Sequence, residues 1–80
     1  MEKTTIDIIA FGMASRILGN GHLSLPHVGD TDTLRKVLLE QFPALAEVPY
    51  ILAVNQEIIS GNQLIPPGAE IAIMPPYSGG

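Results

Sequence analysis

The apolar and polar positions in the first part of the chain predict two short strands joined by a helical turn. Residues 4–11 are rich in Ile and Thr and contain no Gly or Pro, which favours a strand that Gly12 ends. Residues 13–18 predict a short helical turn, and the glycines of Gly19-Asn20-Gly21 permit a reversal of direction. A second strand is predicted over residues 22–25. These segments together form a β-β unit.

The spacing of apolar residues after position 30 predicts the one main helix. Asp30 or Thr31 can cap its N-terminus, because a short side chain places an oxygen within reach of a free backbone N–H. Pro43 ends the helix, since the residue before a proline is pushed out of helical geometry. The apolar residues that recur at helical spacing, and that we expect to pack on a sheet, are Leu34, Val37 and Leu38.

Three further strands are predicted over residues 51–54, 57–59 and 70–74, with Asn55-Gln56 as a tight turn between the first two. The order β-β-α-β-β-β predicts an α+β fold, in which one main helix crosses one face of a mixed sheet of about five strands. We expect residues 1–80 to form a single domain, because a chain of this length supports only one small core.

Composition narrows the possible functions. The sequence is 46% hydrophobic and 15% charged, which is typical of a folded domain that leaves some apolar surface for a partner. There is no cysteine, so any sulfur chemistry must use imported sulfur, and a cytoplasmic location is favoured. The formal net charge of −4 argues against nucleic acid and membrane binding and favours a basic protein partner.

The side chains offer little catalytic chemistry of their own. His22 and His27 have no carboxylate pair at ligand spacing, so no metal site is predicted. The serines lack the flanking glycines of a nucleophile elbow, and no complete nucleotide-binding glycine motif is present. We therefore expect a chain that binds no cofactor and is not an enzyme by itself.

The last six residues lie outside the predicted sheet. Pro75 and Pro76 stiffen the exit from the last strand, and Gly79 and Gly80 end the chain without side chains. Such a tail is suited to enter a narrow channel on another protein. An ordinary frayed terminus is the alternative, because a final Gly-Gly is common.

Two segments carry a resemblance to a known family: Leu52-Ala53-Val54-Asn55-Gln56-Glu57, and residues 67–80, which read PGAEIAIMPPYSGG. The chain resembles the family of molybdopterin synthase small subunits, which are sulfur carriers of the MoaD/ThiS type. The proline pair before Gly-Gly is the specific part, since thiamin-pathway carriers generally lack it. One departure lies at Ser15 and Arg16, where the family usually has an Arg-Glu pair.

The resemblance implies a β-grasp, ubiquitin-like fold with a flexible Gly-Gly tail. It also implies that an E1-like adenylating enzyme uses ATP and magnesium to activate the carboxylate of Gly80, which a sulfur donor system then converts to a thiocarboxylate. The large catalytic subunit of molybdopterin synthase would receive the tail in a heterotetramer and use its sulfur on cyclic pyranopterin monophosphate.

The same resemblance assigns roles to particular residues. Gly80 is the reacting residue, and partner contacts are implied at Phe11, Ile58 and Met74. The residues implied to enter the partner with the tail are Pro75, Pro76, Tyr77, Ser78 and Gly79. Other functions stay open at this point: a carrier for thiamin or another sulfur-containing metabolite, a ubiquitin-like protein modifier, or an interaction module.

Overall fold

Five strands form one mixed sheet in the computed structural model, which describes residues 5–19 and 21–76. In chain order the strands are β1 (Thr5–Ala10), β2 (His22–Pro26), β3 (Ile51–Val54), β4 (Glu57–Ile58) and β5 (Glu70–Met74). Their order across the sheet is β2-β1-β5-β3-β4. All five predicted strands are present. The first ends at Ala10 and not at Phe11, the second continues to Pro26, and the fourth is one residue shorter than predicted.

The strands at the centre of the sheet run in the same direction. β1 pairs in parallel with β5, in a register that joins Asp7 to Glu70 and Ala10 to Ile73. The outer neighbours are antiparallel: β2 pairs with β1, β3 with β5, and β4 with β3. A mixed sheet with a parallel central pair and one main helix across it is the β-grasp, ubiquitin-like arrangement, so the predicted α+β fold is confirmed.

Three helical segments connect the strands. They are α1 (Met13–Leu18), α2 (Thr31–Gln41) and a 3-10 helix, Pro43–Glu47. The first two match the predicted helical turn and main helix. Pro43 follows the end of α2 as predicted, but it also begins the 3-10 helix, which the sequence pattern did not predict. A proline at the first position of a helix has its φ angle preset and loses no hydrogen bond there.

The core lies between the sheet and α2. Burial alternates along β1 and β5, so that every second side chain faces the helix. Leu34 and Leu38 of α2 are completely buried against this face, and Val37 packs at its margin. The predicted apolar stripe of the helix is therefore confirmed. The side chains of the core cluster that come from β1, β3 and β5 are Ile6, Ile8, Ala10, Leu52, Val54, Ile71 and Ile73.

The turn between β3 and β4 has the backbone geometry of a tight hairpin. Asn55 and Gln56 have φ angles of 48° and 74°, and positive φ at both central residues is the mark of a type I′ turn. The Asn55 side chain is also used, because its Oδ1 accepts a hydrogen bond of 3.0 Å from the backbone N–H of Glu70. The predicted turn is confirmed, and its first residue ties the hairpin to β5.

A polar clasp holds the N-terminus of α2 to the loop before β5. Asp30 caps the helix, and its Oδ1 accepts a 3.0 Å hydrogen bond from the backbone N–H of Thr33. The Asn62 side chain donates to the other oxygen of Asp30 and accepts from the backbone N–H of Asp32. Thr31, which is fully buried, accepts at Oγ1 from the backbone N–H of Gln63. The clasp thus fixes a long connection that has no regular structure.

No α-helix in the described part of the chain combines the length and apolar character needed to cross a membrane.

The burial of Leu38 predicts a large loss of stability when it is shortened. Leu38→Ala should lower the free energy of unfolding by about 2 to 5 kcal/mol, because it removes buried methyl groups and leaves a cavity. Leu39→Ala is the matched control, because Leu39 is 45% exposed and its truncation should change stability by only about 0.5 kcal/mol. Denaturant unfolding measures both, and equal losses would contradict this description of the core.

The charge of Asp30 predicts a dependence of stability on pH. Hydrogen bonds from Thr33 and then from Asn62 hold the pKa of Asp30 below its ordinary value of 3.8. A carboxyl with a lowered folded pKa stabilises the fold above its unfolded pKa, and this contribution is lost as the pH falls through the folded value. Asp30→Asn should therefore be less stable than the parent at pH 7, with a difference that shrinks below about pH 3.8.

Thermal unfolding between pH 7 and pH 2.5 measures this difference. The control is Glu47→Gln, which removes the negative charge of an exposed carboxylate outside the clasp and so measures the effect of net charge alone. A difference between Asp30→Asn and the parent that stays constant with pH would show that the charge has no role.

Candidate functional site

The chain leaves the sheet at the end of β5, beside the end of β1. Phe11 continues the ladder beyond β1, because its backbone N–H donates a 2.9 Å hydrogen bond to the carbonyl of Ile73. Pro75 and Pro76 follow β5 and are exposed. The remaining predicted tail residues lie outside the described residues: Tyr77, Ser78, Gly79 and Gly80. The tail that carries the predicted reacting carboxylate therefore begins at this corner of the sheet.

An apolar groove of about 210 Å³ lies at this corner. Three segments build its walls: the entry to α1, the residues just before β3, and the exit from β5. These segments meet because β3 is antiparallel to β5, with Ile51 opposite Met74, so the start of β3 lies where β5 ends. The lining side chains and backbone belong to Phe11, Gly12, Met13, Ala14, Val48, Pro49, Tyr50, Met74, Pro75 and Pro76.

Gly12 allows Pro75, the first residue of the tail, to lie close to the backbone. Its φ angle is +66°, a conformation that side-chain-bearing residues rarely adopt. A Cβ built on Gly12 would lie 3.1 Å from Cγ of Pro75, closer than ordinary van der Waals contact. The absent side chain lets Pro75 lie directly on the backbone at the entry to α1. Gly12 and Pro75 together set the direction in which the chain leaves the sheet.

The three residues predicted to contact a partner are all outside the core cluster. Phe11 is 51% exposed and Ile58 is 67% exposed, while Met74 is half-buried. Phe11 and Met74 both line the groove. Ile58 lies on β4, at the far edge of the sheet. Their exposure allows the predicted contact, which stays a prediction.

The wall of the groove that comes just before β3 was not predicted from the sequence. Val48, Pro49 and Tyr50 precede β3 and follow no period that marks them as a surface. The Tyr50 ring forms a cation–π contact with Arg35 of α2, whose guanidinium carbon lies 5.8 Å from the centre of the ring. The signal that could have found them is the antiparallel pairing of β3 with β5, because this places residue 50 beside the exit of the tail.

The atypical position of Ser15 has a local structural role. A Cβ built on Gly21 would lie 2.9 Å from Oγ of Ser15, so the hydroxyl packs directly against the turn that enters β2. Gly21 also has a positive φ of 79°. Arg16 beside it is exposed. The departure from the family pattern therefore lies on α1, and neither residue lines the groove.

The histidines are separate from the groove. Nε2 of His27 lies 2.7 Å from the carbonyl oxygen of Ile65, as a donor to it, and His22 is exposed on β2. Within residues 5–19 and 21–76, no group of three His, Cys, Asp or Glu side chains is placed to hold a metal ion.

Comparison with known proteins identifies the family. The sequence profile of the ThiS family matches residues 8–80. This range contains part of β1, all the residues that line the groove, and the whole tail. The chain belongs to the ThiS family. Its curated relatives include proteins named molybdopterin synthase sulfur carrier subunit from Caenorhabditis elegans, 34% identical over 95% of this chain and 98% of the relative, and from Homo sapiens, 35% identical over 94% and 93%. The resemblance inferred from the sequence is confirmed.

Solved structures agree with the fold of this ThiS-family chain. Small archaeal modifier protein 1 from Methanosarcina acetivorans superposes with a TM-score of 0.78, at 21% identity, over 96% of this chain and 97% of its own. The protein of the same name from Haloferax volcanii gives a TM-score of 0.75 at 21% identity, over 92% and 99%. At this level of identity the likeness concerns the fold alone.

The contact between Gly12 and Pro75 predicts a measurable coupling. Gly12→Ala should cost about 1 to 3 kcal/mol for its positive-φ backbone, and more because its Cβ meets Pro75. In a Pro75→Ala background Cγ is gone, so the same substitution should cost less, by about 0.5 to 1 kcal/mol. Denaturant unfolding of the four proteins of this cycle gives the coupling.

Gly61→Ala is the reference for backbone strain alone, since Gly61 has a φ of 78° and nothing within 4 Å of a built Cβ. It should cost the same in both backgrounds. A Gly12→Ala penalty that is also independent of Pro75 would show that the two residues do not set the tail exit together.

Proposed function

We propose that this chain is the sulfur carrier subunit of a molybdopterin synthase, with the carboxylate of Gly80 as its working group. The observation that supports this most strongly is full-length similarity to relatives that bear this name. The relative from Arabidopsis thaliana, for example, is 33% identical over 99% of this chain. The family match also extends to residue 80, so the terminal Gly-Gly belongs to the similarity.

The proposed chemistry begins by activating a poor electrophile. The carboxylate of Gly80 attacks the α-phosphorus of ATP on an E1-like adenylating enzyme with magnesium, and pyrophosphate leaves. Hydrosulfide supplied by a donor system then attacks the acyl carbon, and AMP leaves carrying one of the two original carboxylate oxygens. The product is a thiocarboxylate, a sulfur nucleophile on a chain that has no cysteine. The adenylating enzyme uses the ATP and magnesium, and this chain binds neither.

The tail has the reach that such a transfer needs. Fully extended, residues 75–80 span at most about 20 Å, which is enough to enter a deep pocket on another protein. Pro75 and Pro76 at its base are exposed and restricted in φ, so the tail projects from a defined starting point. Glycines at the end let the backbone pass through a narrow channel.

The catalytic residues belong to the partner in this proposal. The large catalytic subunit, in a heterotetramer, receives the thiocarboxylate and uses its sulfur on cyclic pyranopterin monophosphate. The cytoplasmic location inferred from the lack of cysteine is part of the same proposal.

Other carriers and modifiers with this fold remain outcomes of the test. The fold does not separate them, because both solved structures reported above are named modifier proteins. A thiamin carrier would deliver the same thiocarboxylate to a different acceptor. A modifier would instead form an amide bond between Gly80 and a lysine.

Removing Gly80 should separate activation from folding. Deletion of Gly80 should abolish thiocarboxylate formation and leave the thermal midpoint unchanged, because every residue of the core cluster lies between Ile6 and Ile73. Intact-mass spectrometry after incubation with adenylating enzyme, ATP and a sulfur source detects replacement of one oxygen by sulfur. Fragmentation then assigns the sulfur to the terminal residue.

The matched control is one affinity tag placed at either end of the chain. A tag after Gly80 should block sulfur loading, and the same tag before Met1 should not. Sulfur uptake by the truncated chain, or dithiolene formation without any thiocarboxylate, would refute the mechanism. Sulfur loading followed by delivery of sulfur only to a thiazole precursor would instead identify a thiamin carrier, and an amide bond between Gly80 and a lysine would identify a modifier.

A further inference from the structure

Pro75, the first residue of the tail, has a different neighbour on each side at the end of the sheet. β5 lies between β1 and β3, so the exit of the tail has the end of β1 on one side and the start of β3 on the other. On the β1 side, a Cβ built on Gly12 would lie 3.1 Å from Cγ of Pro75. On the β3 side, Ile51 is opposite Met74. The same antiparallel register continued by one residue places Tyr50 opposite Pro75, and both line the groove.

The prolines at the base of the tail remove backbone contacts that would otherwise fix its direction. A proline has no backbone N–H, so neither Pro75 nor Pro76 can donate a hydrogen bond to a neighbouring strand. Beyond Met74 the direction of the chain therefore depends on what packs beside Pro75. On the β3 side this is the Tyr50 side chain, which is half-buried and packs against the core.

Arg35 of α2 contacts the Tyr50 ring from the helix side of the sheet. Its guanidinium carbon lies 5.8 Å from the centre of the ring. Tyr50 is two residues before the buried Leu52, so strand alternation places its ring on the face that α2 covers. Leu34, which precedes Arg35 along α2, is completely buried, so the cation extends from a helix that the core fixes in place. Arg35 itself does not line the groove.

The strength of this contact limits its effect on the tail. A cation over a Tyr ring at a partly exposed site changes an equilibrium constant by about two- to fivefold. A contact made in only one of two arrangements can shift their populations by no more than that factor. The contact of Arg35 with Tyr50 can therefore favour one direction of the tail without excluding the others.

We propose that Arg35 and Tyr50 are positioning residues for the reaction at Gly80. The Arg35 cation fixes the Tyr50 ring beside Pro75, and the ring favours the tail direction in which the terminal carboxylate reaches the adenylating enzyme. Both residues act through Pro75, and neither takes part in the chemistry. This inference rests on the proposed function for the reaction that the tail undergoes.

The first test measures steady-state sulfur loading of the full chain by intact-mass spectrometry, with adenylating enzyme, ATP and a sulfur source. Arg35→Met should lower kcat by about two- to fivefold and leave the KM for the carrier unchanged. The reason is that Arg35 lies outside the groove, so its loss changes only the share of bound chains whose tail is aligned. Denaturant unfolding of each variant ensures that the assays compare folded proteins.

Three further variants separate the ring contact from net charge and from bulk. Lys36→Met removes the same charge from the next, exposed residue of α2, and its kcat and KM should equal those of the parent. Tyr50→Phe keeps the ring face and should keep the parent kcat, whereas Tyr50→Leu should lose as much as Arg35→Met. Arg35→Met added to Tyr50→Leu should cause no further loss, because both changes remove one contact.

A second test reports on the tail directly and needs no sulfur chemistry. The chain has no cysteine, so Ser78→Cys in the tail and Glu57→Cys on the exposed edge strand β4 give two unique sites for spin labels. Pulsed electron resonance then measures the distribution of distances between the labels. Arg35→Met should broaden this distribution, and Lys36→Met should leave it as in the labelled parent.

A raised KM at unchanged kcat in Arg35→Met would overturn the proposal, since Arg35 would then contact the enzyme itself. Equal losses in Arg35→Met and Lys36→Met would overturn it as well, because net charge would explain them. A loss in Tyr50→Phe as large as in Tyr50→Leu would show that the ring face has no role.

The proposed function fails separately, through a parent chain that acquires no sulfur at Gly80. The label distances still decide between the two outcomes for Arg35 in that case. A distribution that Arg35→Met leaves unchanged rejects the positioning role, whatever the reaction at the terminus.

Discussion

The parallel pairing of β1 with β5 is the constraint on which the rest of the structure depends. Parallel strands end at the same edge of a sheet, so the end of β1 and the end of β5 meet at one corner. That corner brings Gly12 against Pro75, builds two walls of the groove and gives the tail its starting point. The same pairing also places Asp7 beside Glu70 at the opposite end. One strand pair thus places an acidic pair and the start of the tail at opposite ends of the same two strands.

Local pattern was sufficient to predict the five strands and the two α-helices of this fold. Alternation along β1 and β5, and the spacing of Leu34 and Leu38, each report which side of a segment is buried, and this information lies within a few residues. Asn55-Gln56 was predictable as a turn for the same reason. The terminal Gly-Gly and its proline pair pointed to the tail because they fit no element of the sheet.

The groove beside the exit of the tail could not be predicted in this way. Tyr50 and Pro75 come together only through the register of β3 on β5, and that register is a property of pairs of segments distant in sequence. The 3-10 helix after α2 was missed because a proline that ends one helix carries no sign that it begins another. Exposure of Ile58 likewise depends on β4 being the last strand at its edge of the sheet.

The position of β5 at the centre of the sheet has a consequence for how the chain folds. Among the strands it is the last in sequence, yet it lies between β1 and β3. The hairpin of β1 with β2 can form early from local contacts, but one side of β1, rich in isoleucine, then stays unpaired until β5 arrives. Non-local pairing of this kind is slow, and an uncovered apolar strand edge invites pairing with other chains. Interruption of synthesis before residue 70 would therefore leave an aggregation-prone fragment, and the strand that completes the sheet is the same one that leads into the C-terminal tail.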